Sequence, residues 1–191
     1  MSDTKLQAQI EAAHAYEALF VPALFGQWAT KVADAAQIEP GQRVLDVGSG
    51  TGILGREIYS RMGSVGRVAG IDPSPGMVAA AKQLAPHVDW LEGVAESLPF
   101  PDQSFEVVVS QFALMFFRDR RQALHEMLRV LAPGGLLAVA VWDSIDNMAA
   151  YASEVVLLMG SRGIFDICTM PNFAAIAECW NATVLSTMSV W

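Results

Sequence analysis

The chain has 191 residues, 53% of them hydrophobic, and a formal net charge of −8, which suits one folded domain with a proper core and excludes a disordered chain. Its longest apolar runs, such as Leu136 to Trp142, are too short to cross a bilayer, the N-terminal residues lack a basic-then-apolar leader layout, and the acidic balance disfavours nucleic-acid binding, which needs cations to neutralise phosphate. Two cysteines, Cys168 and Cys179, are too few for a disulfide framework or a zinc site, so a cytoplasmic location, no metal and a small-molecule partner are expected.

Leu6, Ile10, Ala13 and Phe20 recur at helical spacing, with Ser2 or Asp3 as cap. Pro22 opens a second helix that carries Phe25, Trp28 and Val32 and ends before Pro40-Gly41. A strand follows at Arg43–Val47, then a helix over about Ile53–Met62, stopped by Gly63. Val65–Ile71 reads as a second strand ending at Asp72. Ser74 followed by Pro75 is a cap with a first-turn proline, so a helix runs from there to about Ala85.

Val88–Leu91 is a short third strand, Phe105–Ser110 a fourth, and Asp119 with Gln122 makes a capping box for a helix ended by Pro133-Gly134-Gly135. Leu136–Trp142 is a fifth strand, apolar throughout and therefore central. Strand and helix alternate, which predicts a mostly parallel α/β sheet with helices on both faces, because parallel neighbours need crossovers. Asn147–Met159 and a segment opened by Pro171 or Asn172 read as helices, and Thr183–Val190 as a last strand.

The chemistry concentrates at Val44–Gly52, VLDVGSGTG. A buried strand that breaks into glycines and then a helix is the sequence form of a nucleotide-binding turn. Gly50, Gly52 and Gly55 spell GxGxxG, and Asp72 lies at the end of the next strand. Both features match a dinucleotide fingerprint, so an NAD-dependent oxidoreductase has to be weighed. Asp46 speaks against it. A carboxylate two residues before Gly48 repels a pyrophosphate but suits a ligand with an amine or a positive centre.

Asp46-x-Gly48-x-Gly50-x-Gly52 resembles motif I of the class I methyltransferases that use S-adenosylmethionine. Gly70-Ile71-Asp72-Pro73-Ser74 is similar to that family's second-strand end. Glu96-Ser97-Leu98-Pro99-Phe100 with Phe105-Glu106-Val107-Val108 resembles its AExLPFPDxSFDVV stretch, and Leu128 to Gly135 its LRVLKPGG segment. The pieces follow the family's order over residues 15 to 145, and small-molecule methyltransferases of ubiquinone and menaquinone biosynthesis are the nearest in pattern.

The resemblance implies a Rossmann-like, doubly wound fold with a helical lid over 1–40, a cofactor-binding core over 41–145 and an atypical C-terminal part over 146–191. It implies S-adenosylmethionine as cofactor, with Gly48, Ser49 and Gly50 along its methionine part and Asp46 meeting the ammonium group directly or through water. Asp72 would accept the ribose hydroxyls, and Pro73 and Met77 would border the adenine. This chain has Val94 where many members carry an acidic residue, so Ala95 backbone or the Glu96 side chain is expected to serve the adenine amino group. Gln111 would orient acceptor or cofactor, and Phe112, Tyr16, Phe25 and Trp28 would bound the substrate from strand end and lid.

Methyl transfer is an in-line displacement that needs a base only when the acceptor must lose a proton. His14, Glu17 and Asp143 are candidates without motif support, and no catalytic residue is assigned. After the fifth strand the chain has room for one further strand where the family has an antiparallel pair, so a shortened sheet edge is expected. On that ground residues 160–191 are expected to form a homodimer contact or to be poorly ordered. A cofactor-binding protein without turnover is the alternative reading.

Overall fold

The computed structural model describes residues 3–142, 154–160 and 163–167, the last two segments as backbone. In chain order the elements are α1 (Asp3–Phe20), α2 (Gly26–Ala35), β1 (Arg43–Val47), α3 (Ile53–Met62), β2 (Arg67–Asp72), α4 (Pro75–Leu84) and β3 (Asp89–Glu92). They continue with β4 (Phe105–Gln111), α5 (Arg120–Val130), β5 (Leu131–Trp142), β6 (Glu154–Gly160) and β7 (Gly163–Ile167). The sheet order is β3-β2-β1-β4-β5-β6-β7. Strands β1 to β5 pair in parallel, whereas β6 runs antiparallel to β5 and β7 antiparallel to β6.

Strand alternation assigns the two faces. Val44, Val68, Val107, Val109, Ala138 and Ala140 join α2, α3 and α4 in one core, while Leu45, Val47, Ala69, Ile71, Val108, Leu137 and Val139 pack with α5 in the other. Asp46 follows the parity of Val44 and so points toward α3, where its carboxylate accepts the Gly55 N–H at 3.1 Å. The expected helices on both faces are found.

Among the element starts that shift, β2 opens at Arg67 rather than Val65, since Gly63–Val65 forms a 3-10 turn, and two others have a clear local cause. The chain does not break at Pro22: Val21–Phe25 forms one π turn, closed by the Gly26 N–H on the Val21 carbonyl, and leads into α2. Pro22 sits in the first turn of that segment. β5 begins at Leu131 rather than Leu136, but Leu131 pairs with Phe105 and regular pairing resumes only at Val107 with Leu136. Pro133-Gly134-Gly135 is the intervening bulge, with Gly134 at φ 83°.

The helix expected over Asn147–Met159 is overturned: residues 154–160 are β6, paired along Leu136–Trp142. With β7 beside it, two antiparallel strands follow β5 instead of one. An unbroken apolar run such as Val155–Leu158 fits a buried helix or a strand equally by periodicity, and the open edge of β5 decides. The helix expected after Pro171, the strand over Thr183–Val190 and most of the homodimer segment lie outside the described residues. Among those described, no helix is long and apolar enough to cross a membrane.

Candidate functional site

The carboxyl ends of β1, β2 and β4 meet at the glycine turn. Gly48 and Ser49 both donate to the Ile71 carbonyl, at 2.8 and 3.1 Å, and the Gly52 N–H closes the turn on Ser49 O at 2.9 Å. Gly48 sits at φ 73°, and a Cβ there would lie 2.3 Å from that of Ala113. Gly50, at φ 54°, would meet nothing within 4 Å. It is the glycine that leaves its backbone open to a ligand.

Gly52 and Gly55 have another task. A Cβ on either would meet the Trp90 indole, at 2.5 and 2.7 Å, and Gly70 would meet it at 2.3 Å. Trp90 is buried on β3 with its Nε1–H on the Ala85 carbonyl at 2.8 Å. Two of the three glycines in the GxGxxG pattern thus make room for a tryptophan of this chain's own core. That packing role removes much of the dinucleotide fingerprint's force.

Asp72 clamps the turn. One oxygen accepts the Gly50 N–H at 2.9 Å and the other the Ser74 N–H at 2.9 Å. Burial raises its pKa, against these two backbone donors. Asp46 is 1% exposed; burial pushes its carboxyl up to about 7 against the Gly55 N–H, with the charge on Asp72 adding to the rise.

Two clefts open on this turn and share Gly48. Tyr16, Phe25, Asp46, Gly48, Ser49, Gly50, Thr51 and Gln111 contribute to the smaller one, of about 40 Å³. The larger, about 270 Å³, is bounded by Gly48, Ile71, Pro73, Val94, Ala95, Glu96 and Phe116 among others. Three residues of the smaller cleft carry buried polar atoms with no partner among the described residues: Ser49 Oγ, Thr51 Oγ1 and Gln111 Oε1. Buried polar atoms are ordinarily bonded, so such a cluster marks a place where a polar ligand completes the network.

Most of the residues singled out from sequence come together here; four do not line either cleft, and of these Asp72 sits behind the turn that it clamps. Met77 lies in the first turn of α4, its N–H reaching the Ser74 Oγ cap at 3.4 Å. Trp28 and Phe112 are 8% and 4% exposed and meet edge to face within the core. Tyr16 stacks on Phe25 with ring centroids 5.4 Å apart, and Gln111 Nε2 donates to the Phe25 carbonyl at 3.1 Å. Burial, with the charges of Glu17 and Asp72, pushes the Tyr16 hydroxyl up to about 12, so it stays protonated. Of the 1–40 lid region, then, α2 is built into the core, while Tyr16 and Phe25 face the cleft.

Glu96 is committed to structure. Its Oε1 accepts the Arg118 and Asp119 N–H groups at 2.7 and 3.2 Å. The capping box is therefore half closed: Asp119 caps Gln122 N at 3.0 Å, but the Gln122 side chain donates to the Glu96 carbonyl instead of returning. Arg129 explains why the LPF loop and the α5 end go together. It donates to the Leu98 and Phe100 carbonyls at 3.1 and 2.9 Å and pairs with Glu126 and Asp102.

Neither described base candidate stands ready at the cleft. His14 shares a hydrogen bond with Gln83 at 2.9 Å, and Glu17 is held by Arg56 at 2.5 Å; Asp143 lies outside the described residues. Sequence reasoning missed Thr51 and the Phe116 wall. A lone threonine inside a glycine turn and the paired aromatics Phe116-Phe117 after a strand end were the available signals.

A methyltransferase-domain family model matches residues 45–139, the span from β1 into β5. Demethylmenaquinone methyltransferase of Renibacterium salmoninarum is 44% identical over 114 residues, covering 60% of this chain and 47% of that protein. The 2-phytyl-1,4-naphtoquinone methyltransferase of Thermosynechococcus vestitus is 36% identical over 143 residues, covering 71% and 64%. The chain thus spans under two thirds of the length of either relative. A crystal structure of a SAM-dependent methyltransferase from Aquifex aeolicus aligns with TM-score 0.57 at 27% identity, over 60% of this chain and 64% of that one. The glycine turn, the two strand-end aspartates and these likenesses agree: the chain belongs to the class I S-adenosylmethionine-dependent methyltransferases.

Proposed function

We propose that the chain binds S-adenosylmethionine across the two clefts and transfers its methyl group to a small-molecule acceptor of the quinol type. The observation that carries the reading is the set of unpartnered atoms on Ser49, Thr51 and Gln111 beside the buried Asp46. Polar donors and acceptors held ready around an open glycine backbone fit an amino-acid moiety, whereas a phosphate would meet a carboxylate.

When bound, the cofactor supplies an electrophilic methyl group on a sulfonium. Each Asp72 oxygen has accepted one backbone N–H and keeps a second lone pair for a ribose hydroxyl. Asp46 faces the ammonium group. Pro73, Ala95 and Glu96 bound the larger cleft, where the adenine is assigned, with contact from Ala95 backbone because Glu96 is occupied. Tyr16 and Phe25 exclude water over the glycine turn, and Gln111 ties that cover to β4 through the Phe25 carbonyl. With no described base at the cleft, catalysis rests on alignment of acceptor and methyl group. The acceptor class comes from the names of the two curated relatives, and a cytoplasmic location accompanies the reading.

Calorimetric titration with S-adenosylmethionine and with NAD tests the cofactor. Saturable binding of the first alone is expected, and binding of NAD alone would overturn it. Radiolabelled methyl transfer over quinol, phenol and amine acceptors tests turnover, with quinols expected to be labelled. Tight cofactor binding with no labelled product from any acceptor would favour the non-catalytic reading.

A further inference from the structure

A further cavity lies at the other pole of the sheet. It encloses about 730 Å³ and is lined at the amino ends of four strands: Arg43 opens β1, Arg67 β2, Asp89 β3 and Phe105 β4. Strands of about 3.3 Å per residue put roughly 15 Å between these ends and the glycine turn. Ligands of open α/β sheets bind beyond the carboxyl ends, so the fold itself does not account for this cleft.

Its walls combine two chemistries. Phe100, Phe105, Pro86 and Pro101 give it an apolar lining, with Phe100 and Phe105 edge to face at 5.0 Å, while Trp90 and Val88 border it from the core. Arg43, Arg67 and Lys82 stand around it against one carboxylate, Asp89. Arg67 pairs with Asp89 at 2.7 Å, and Arg43 with Glu106 outside the lining. Lys82, exposed on α4, has no ion-pair partner among the described residues. In a chain of net charge −8, a cationic rim over an aromatic floor runs against the average. Its volume falls in the range of small-molecule sites, roughly 300–1,000 Å³.

The geometry points to a second binding site here, for an amphipathic organic anion: a planar apolar body carrying one sulfonate, carboxylate or phosphate. The apolar body lies against Phe100 and the prolines, and the anion meets Lys82 and the Arg67 guanidinium. A charged partner in a half-enclosed apolar cleft is screened less than at an open surface, so the rim cations add affinity as well as orientation.

Two fluorescent probes separate the contributions: 1-anilinonaphthalene-8-sulfonate, and N-phenyl-1-naphthylamine, which lacks the sulfonate. Both are titrated into the full chain with and without saturating S-adenosylmethionine, and into Arg67→Glu/Lys82→Glu. The sulfonate probe is expected to bind one per chain, about tenfold tighter than the neutral one, and to stay bound when the methyl donor is added. The double variant is expected to lose that tenfold preference while keeping its circular dichroism spectrum and its affinity for the methyl donor. Equal affinity of the two probes for the wild type would overturn the proposal, whatever the variant does. Displacement of the sulfonate probe by the methyl donor, or an unchanged preference in the double variant, would overturn it too. Because the assay never reads methyl transfer, a failure of the proposed reaction leaves these outcomes interpretable.

Discussion

Asp72→Asn perturbs the site at the point where the fold and the proposed ligand share an atom. The carboxylate accepts two backbone N–H groups at 2.9 Å, from Gly50 and Ser74. Asparagine keeps one acceptor oxygen and turns an NH₂ toward the other donor, which leaves one backbone N–H unmatched at a cost of about 1–3 kcal/mol. Neutralising the side chain works the other way, because burial already penalises its charge. The net loss of stability therefore sits at the low end, about 1 kcal/mol, or roughly 2–4 °C in Tm for a domain of this size. Ribose recognition has no such offset. Losing one hydrogen bond to a charged acceptor is worth about 1.5–3 kcal/mol, so S-adenosylmethionine should bind about tenfold more weakly or worse. Calorimetry measures the affinity and differential scanning fluorimetry the stability. A folded Asp72→Asn that binds the methyl donor within twofold of wild type would refute the ribose assignment.

Gly70→Ala should destabilise the chain by about 1–3 kcal/mol in urea unfolding by forcing a methyl into the Trp90 indole; combined with Trp90→Leu the effect should be less than additive, and full additivity would dismiss the contact. Asp46 predicts a pH profile. Its carboxyl titrates at 3.8 in the unfolded chain and about 7 in the fold, so the folded state holds a proton that the unfolded state releases between those values. Its stabilisation is complete below the lower value and is lost as pH rises to about 7, on the order of 4 kcal/mol in all. Thermal melts of Asp46→Asn should lack that fall; an unchanged profile would exclude Asp46 as its source. The same titration should make methyl-donor affinity increase as pH rises through about 7, measured by calorimetry with proton release read from two buffers. Arg129→Lys keeps the charge but not the fork that reaches the Leu98 and Phe100 carbonyls. Hydrogen exchange over 93–103 should accelerate severalfold, and wild-type protection there would show that the loop holds itself.

The local signals in the sequence were strong where the chain's own neighbours settle the structure. Ser74 before Pro75 and Asp119 before the α5 run both became caps, because a side-chain oxygen three residues from an orphan N–H needs nothing from elsewhere. The five parallel strands followed from apolar runs alternating with amphipathic helices, and the Asp46 and Asp72 placements followed from ending two of those strands. The 154–160 segment was illegible for the opposite reason: its apolar run has no inherent period, and only the unpaired edge of β5 makes it a strand.

Side-chain partners across the sheet belonged to tertiary structure alone. Nothing local in GSGTGILG says that Gly52 and Gly55 yield to Trp90, some 35 residues on, while Gly50 faces open space. Composition could not show that three of only 12 Lys and Arg residues gather at one pole over aromatic rings. Sequence alone determined the parallel sheet core, the methyltransferase family and the places of Asp46 and Asp72 near two strand ends, since strand ends and caps are encoded within a few residues. Which glycine is open, which acid is spent on a cap and where a second cleft forms were decided by packing, because each depends on atoms brought together from distant parts of the chain.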